Sequence, residues 1–165
     1  MIFLSSPFKE AWKDKDPFEE IKKIEGAIYR QVLNRSTTRF EFAGQVFYIK
    51  FHTGSSLREI LKNLVCLKLP VLGARNEYLA ISKLHELNVN TMEVVAFGER
   101  GLSPFGRESF IITKELSPTI DLLAYCLQWR ETPPSYQHKR AVIAEVADML
   151  RRIHEGGVNH RDCYL

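Results

Sequence analysis

Three stretches between positions 27 and 52 constrain the fold more than any other part of the sequence. Residues 28–32 are typical of a strand, residues 39–42 alternate, and residues 46–52 are rich in aromatic and β-branched side chains. A polar loop is expected at 34–38 and a turn at Ala43-Gly44. The pattern therefore predicts an antiparallel meander of three strands.

Helix and strand patterns on both sides of the meander predict an α+β fold. A short helix is expected from Asp16, which can cap it, with Pro17 at its first position and Glu19 at capping-box spacing. The elements expected after the meander are an amphipathic helix at 75–87, strands at 92–98 and 109–116, a helix at 121–129, and a long helix from about 136 to 154 that Ser135 can cap.

Composition indicates a soluble globular protein. A chain of 165 residues, 45% hydrophobic and 26% charged, can form one core or two small lobes. Cys66, Cys126 and Cys163 are too far apart for a local metal-ligand pattern, and their odd number favours a reducing compartment. The apolar run at 1–4 is too short for a signal peptide, and no stretch approaches transmembrane length, so a cytoplasmic location is expected.

A His160-Arg161-Asp162 triplet follows the predicted long helix. Kinase-fold enzymes present their catalytic aspartate in this way, because a carboxylate must accept the proton of the attacking hydroxyl. His160 and Arg161 are expected to brace the loop. An ordinary solvated loop is the alternative, since a three-residue match arises by chance in many chains.

Two residues upstream fit the same chemistry. Lys50 lies near the end of the third strand, where the local pattern is similar to the Val-Ala-Ile-Lys strand whose lysine binds the α- and β-phosphates of ATP. Glu77 lies in the first turn or so of the following helix and is the candidate partner of that lysine. Glu59 is the rival partner, and solvent-exposed side chains are the alternative for both positions.

The expected nucleotide contacts differ from those of a typical protein kinase. The loop between the first two strands contains no glycine, so Ser36 and Thr37, with Thr38, are expected to contact phosphates through hydroxyls. Glu115 and Leu116 fall where a hinge would offer backbone groups to an adenine ring.

Three long strings resemble the lipopolysaccharide core heptose(I) kinase family of Gram-negative bacteria: LPVLGARNE at 69–77, VAFGERG at 95–101 and GVNHRDCYL at 157–165. The resemblance covers nearly the whole chain. It implies phosphorylation by ATP, with Mg²⁺, of the first inner-core heptose of lipopolysaccharide at the inner face of the cytoplasmic membrane. In this family Lys50 would bind phosphates, Glu77 would orient it, and Asp162 would be the catalytic base.

The resemblance also implies a domain organisation. Residues 1–116 would form a kinase-like small lobe, with an N-terminal helix and an insertion at about 54–73, and residues 117–165 would begin the large lobe and end in the catalytic loop. The family continues past this point into a second lobe that carries the metal-binding acid. No metal ligand is therefore assigned here, and the 165-residue chain is expected to be inactive alone.

Other interpretations remain open. The chain could be a non-catalytic binding module of kinase ancestry that binds nucleotide weakly. A nucleic-acid protein using the basic stretch at 58–75 has little beyond charge to support it, and no nucleic-acid partner is expected. The apolar stripe with basic flanks at 57–69 favours docking of an acidic protein or the membrane surface, and a helix packed on the small lobe is its alternative.

Overall fold

The computed structural model describes residues 1–32, 34–54, 73–103 and 105–159. The described residues divide into two compact units. The first unit contains those up to Ile81 together with Met92–Glu115. The second contains Ser82–Thr91 and the residues from Leu116 onward.

The first unit is built on an antiparallel sheet. Its strands, among the described residues, are β1 Ile2–Leu4, β2 Ala27–Val32, β3 Arg35–Phe42, β4 Gln45–His52, β5 Val94–Arg100 and β6 Glu108–Lys114. They are arranged in the order β1-β5-β6-β4-β3-β2. The helices among the described residues of this unit are α1 Phe8–Ala11, α2 Pro17–Lys22 and α3 Arg75–Glu86, whose last turn falls in the second unit.

One face of the sheet, which we call the aromatic face, is closed by α1 and α2. Phe8 and Phe18 are almost completely buried, and their rings lie 5.1 Å from those of Phe47 and Phe110 respectively. The strand side chains of this core are Phe40, Phe47, Ile49, Val95, Ala96, Phe110 and Ile112. Their burial supplies the main hydrophobic stabilisation of the unit.

The N-terminal segment is only partly as expected. Asp16 caps α2, because its carboxylate accepts a hydrogen bond from the Phe18 N–H at 2.9 Å. The capping box is absent, since the Glu19 carboxylate instead accepts a bond from Lys22 Nζ at 2.9 Å and lies 3.4 Å from Arg100. Strand β1 and helix α1 were not predicted, because three- and four-residue elements carry too little periodicity to be recognised.

The prediction of a polar loop at 34–38 is wrong. Strand β3 begins at Arg35, so Ser36, Thr37 and Thr38 are strand residues paired on both sides, with β2 and with β4. Cross-strand pairing and the β-branched threonines outweigh the polarity of the segment. The turn after β3 is as expected, with positive φ at both Ala43 (49°) and Gly44 (72°), as in a type I′ hairpin turn.

The second unit is helical. It contains α4 Leu122–Leu127, a 3₁₀ turn at Gln128–Arg130 and α5 Tyr136–Glu155. The predicted cap of α5 is present, since the His138 N–H donates to Ser135 Oγ at 3.2 Å. The apolar stripe of α5, at Val142, Val146 and Ile153, is half-buried rather than packed in a core by the described residues.

Candidate active site

The face of the sheet opposite the aromatic face carries charged side chains, and we call it the charged face. The strand registers pair Arg30 with Thr37 and Thr37 with Lys50, so these residues form one row across β2, β3 and β4. Two residues further along each strand, Val32, Arg35 and His52 form a second row. Residues two apart on a strand share a face, so both rows project from the same surface.

A β-bulge in β2 shapes this surface. The register shifts between Ile28 and Arg30, which leaves Tyr29 as the extra residue. Tyr29 lies edge-on to Tyr48, with ring centroids 6.1 Å apart, while the next residue, Arg30, is paired with Thr37. Bulges re-aim side chains, and this one brings two consecutive residues to the charged face.

Lys50 and Glu77 are in direct contact. Lys50 Nζ donates a hydrogen bond to Glu77 Oε1 at 2.6 Å, and both side chains are partly exposed. The N-terminal end of α3 is fixed on the sheet because the Ala74 N–H donates to the buried Ser109 Oγ at 2.9 Å. The contact between Lys50 and Glu77 is as expected, whereas the rival Glu59 lies outside the described residues.

A cavity of about 320 Å³ opens at this contact. Its described lining residues are Arg30, Val32, Arg35, Ser36, Thr37, Lys50, His52, Gly73, Asn76 and Glu77. It therefore brings together four of the residues predicted from the sequence, Lys50, Glu77, Ser36 and Thr37. Sequence reasoning missed Arg30, Arg35, His52 and Asn76.

The cavity is positively charged. Glu77 is the one carboxylate among the described lining residues, and Lys50 pairs with it. Arg30 and Arg35 make no ion pair with any described residue, so no described carboxylate compensates their charges. Burial lowers the pKa of His52, and the positive charge of Arg35 lowers it further. A multiply charged anion is the ligand that such a cavity can bind.

The predicted hinge residues have other contacts. The Glu115 carboxylate accepts hydrogen bonds from Arg39 Nε at 2.8 Å and from the Tyr48 hydroxyl at 3.2 Å, and the bond from Arg39 is the main cause of its lowered pKa. The Glu115 N–H donates to the Val46 carbonyl at 2.9 Å. The Leu116 carbonyl accepts a bond from the Thr119 hydroxyl at 3.0 Å. Binding of adenine by Glu115 and Leu116 stays a prediction.

Several predicted features lie outside the described residues. They include the triplet His160-Arg161-Asp162 and most of the insertion expected at 54–73, so the catalytic role of Asp162 stays a prediction. The described part contains no group of three or more His, Cys, Asp or Glu side chains that could hold a metal ion.

The model of the lipopolysaccharide kinase (Kdo/WaaP) family matches residues 19–165. The chain belongs to this family. It is 49% identical over 165 residues to the lipopolysaccharide core heptose(I) kinase WaaP of Escherichia coli, covering 100% of the chain and 62% of that relative. It is 48% identical over 164 residues to the WaaP of Pseudomonas aeruginosa, covering 99% of the chain and 61% of that relative.

A solved structure described as WaaP in complex with acyl carrier protein has the same fold. It superposes with a TM-score of 0.83 at 42% sequence identity, covering 99% of this chain and 61% of that one. The predicted α+β fold with a kinase-like small lobe is therefore confirmed. The chain spans about three fifths of the length of the curated relatives that it matches.

Proposed function

We propose that this chain forms the ATP-binding part of a kinase that phosphorylates the first inner-core heptose of lipopolysaccharide. The observation that carries the proposal is the 2.6 Å contact between Lys50 and Glu77 inside a positively charged cavity. It occurs in a chain that is 49% identical to a heptose(I) kinase.

The chemistry assigned to the cavity is binding and orientation of ATP. The Glu77 carboxylate fixes the direction of the Lys50 ammonium, which then stabilises negative charge on the α- and β-phosphates. Because this ammonium is already positioned before substrate binds, it needs no reorganisation during the reaction. The hydroxyl of Thr37, in the same row as Lys50, is assigned as a further donor to phosphate oxygens. Ser36 alternates with Thr37 on β3 and projects from the opposite face, so its contact with phosphate stays a prediction.

Asp162 is assigned as the catalytic base. It accepts the proton of the heptose hydroxyl while that oxygen forms a bond to the γ-phosphorus and the bond to the leaving ADP oxygen breaks. Mg²⁺ would neutralise charge on the phosphates in such a reaction. The described residues contain no group of three or more His, Cys, Asp or Glu side chains that could hold a metal ion, and the ligands of Mg²⁺ are assigned to the region that the longer relatives have in addition.

At the other end of the nucleotide, Glu115 and Leu116 are assigned to the adenine ring. The Glu115 N–H is already bonded to Val46. We therefore expect the base to use the Glu115 carbonyl and the Leu116 N–H.

The activity can be tested by following label from γ-labelled ATP into heptose-bearing lipopolysaccharide. The enzyme should be the form extended to the full length of the relatives, with the 165-residue chain measured in parallel. We expect incorporation by the extended form that Lys50→Ala and Asp162→Asn each reduce by orders of magnitude. Equal incorporation by these variants would overturn the assignment. Retained ATP binding with no transfer would instead favour a non-catalytic nucleotide-binding module.

We also propose an acyl carrier protein as a partner, because a structural neighbour is WaaP in complex with that protein. The predicted docking segment at 57–69 lies outside the described residues. No helix in the described part is long and apolar enough to cross a membrane. Co-elution of the extended chain with purified acyl carrier protein is expected, and its loss on reversing the basic charges at Arg58, Lys62 and Lys68 would assign the segment.

A further inference from the structure

We infer that Arg30 and Arg35 form a guanidinium clamp that binds the phosphate chain from the β2–β3 side of the cavity. The inference rests on the proposed binding of ATP and adds two phosphate ligands to it. Neither residue belongs to the kinase motifs used above, and both were found only from the lining of the cavity.

The registers place the clamp opposite Lys50. Arg30 and Lys50 flank Thr37 in one row, two strands apart, which corresponds to about 10 Å between their backbones at ordinary strand spacing. Arg35 lies two residues further along β3, beside His52. A chain of phosphates between these positions would have cations along both sides.

The lack of a described carboxylate partner for Arg30 and Arg35 also indicates that they bind a ligand. Elsewhere on the sheet, arginines are paired with carboxylates: Arg39 with Glu115 at 2.8 Å, and Arg100 with Glu108 at 2.6 Å. Arg30 and Arg35 have no such partner among the described residues, although they lie beside Lys50. Guanidinium groups suit phosphate because their planar N–H donors can bind two oxygens at once.

The clamp also takes the place of the phosphate contacts that a glycine-rich loop would make. A glycine-rich loop binds phosphates through backbone N–H groups that approach closely, which requires glycine conformations. Residues 27–42 contain no glycine, and in β3 the backbone is paired on both sides. Side-chain guanidinium groups can reach a phosphate from these strands, because Arg30 and Arg35 are both exposed.

Inorganic tripolyphosphate is the sharpest probe, because it has the charge of the phosphate chain and no adenine. Its binding to the 165-residue chain can be followed by calorimetry and by the shift in unfolding temperature, with ATP and adenosine in parallel. Arg30→Ala and Arg35→Ala are the test variants. Arg140→Ala, which removes an exposed charge from α5 in the other unit, is the matched control.

We expect each single variant to bind tripolyphosphate and ATP about tenfold more weakly, and the double variant about a hundredfold, because each loses charge-assisted hydrogen bonds. Adenosine binding and the unfolding temperature without ligand should not change, whereas Arg30→Lys should restore part of the affinity. The Arg140→Ala control should bind like the wild type.

Two results would overturn the clamp: wild-type chain that does not bind tripolyphosphate, or variants that bind it as tightly as the wild type. The proposed kinase activity is judged separately by label transfer in the extended form. Arginine-dependent binding without transfer would leave the clamp standing and refute the kinase proposal. Transfer that is unchanged in the double variant at limiting ATP would refute the clamp and leave the kinase proposal standing.

Discussion

The two faces of the sheet have opposite character although they are made from alternate residues of the same strands. On β4, Phe47 and Ile49 point to the aromatic face and are almost fully buried, while Lys50 and His52 point to the charged face. The helices α1 and α2 close the aromatic face. On the charged face, α3 covers the part near Phe97 and Ile111, and the cavity remains open beside it.

This difference separates stability from function. The aromatic face buries large rings in contact with each other, so its contribution is hydrophobic and its side chains are not available to a ligand. The charged face contains two cations that no described carboxylate pairs with, together with a preformed ion pair. Such groups stabilise the chain little but can bind an anion. Substitutions on the two faces should therefore have different consequences.

The largest expected effect is on the aromatic face. Phe47 is completely buried between Phe8 and Phe40, so Phe47→Ala should lower the free energy of unfolding by about 3–5 kcal/mol. Chemical denaturation measures this change. The matched variant on the charged face is Arg35→Ala, for which we expect a change within about 0.5 kcal/mol. Similar losses for both would remove the distinction between the faces.

The second effect is on catalysis alone. In the form extended to the length of the relatives, Lys50→Met keeps the apolar part of the side chain and removes the ammonium. We expect kcat to fall about 10²–10³-fold, as for loss of one preorganised electrostatic donor, with the unfolding midpoint nearly unchanged. Lys114→Met, at the exposed end of β6, is the control and should keep full turnover. A comparable loss in the control would point to a general charge effect.

A smaller effect on stability is expected for the hydrogen bonds that Tyr48 and Arg39 donate to Glu115. Tyr48→Phe removes the hydroxyl that donates to Glu115 and leaves the bond from Arg39 in place. The free energy of unfolding should fall by about 1 kcal/mol, the usual net value of one hydrogen bond. Denaturant titration checks this, and in the background Glu115→Gln the effect should be smaller. An unchanged effect in that background would show that the tyrosine acts through packing.

The smallest effect is a dependence on pH. Burial and the positive charge of Arg35 lower the pKa of His52 in the folded chain. Below the ordinary pKa of 6.5 the unfolded chain therefore takes up a proton that the folded chain does not, and stability falls as pH falls through this range. When the free energy of unfolding is measured from about pH 8 down to about pH 5, it should decline less steeply for His52→Gln than for the wild type. A steeper decline in the variant would show that folding does not lower the pKa of His52.

The sequence was most informative where side-chain patterns are long. The strand at 46–52 and the helix at 75–87 were predicted within a few residues, and their relative positions were enough to anticipate the contact of Lys50 with Glu77. The three stretches that resemble the kinase family, at 69–77, 95–101 and 157–165, led to the functional hypothesis, which hydrophobic periodicity alone does not indicate. These features depend on local sequence, so the sequence records them directly.

Features that depend on pairing between distant segments were missed. Strand β1 pairs with β5, more than ninety residues away, and its three residues have no pattern of their own. The segment 34–38 was polar enough to suggest a loop, and only its pairing with β4 shows that Arg35 and Thr37 share a face with Lys50 and His52. Recognising that period-two spacing would have revealed the clamp residue Arg35.

We propose that ATP binds to the charged face and leaves the aromatic face untouched. The most direct test is a titration of the isotope-labelled 165-residue chain with ATP, followed residue by residue by NMR. We predict saturable shifts of the amide signals of Thr37, Lys50 and Glu77, with those of Phe18, Phe47 and Phe110 unchanged. Unshifted signals at Thr37, Lys50 and Glu77, or shifts confined to α5, would contradict the account.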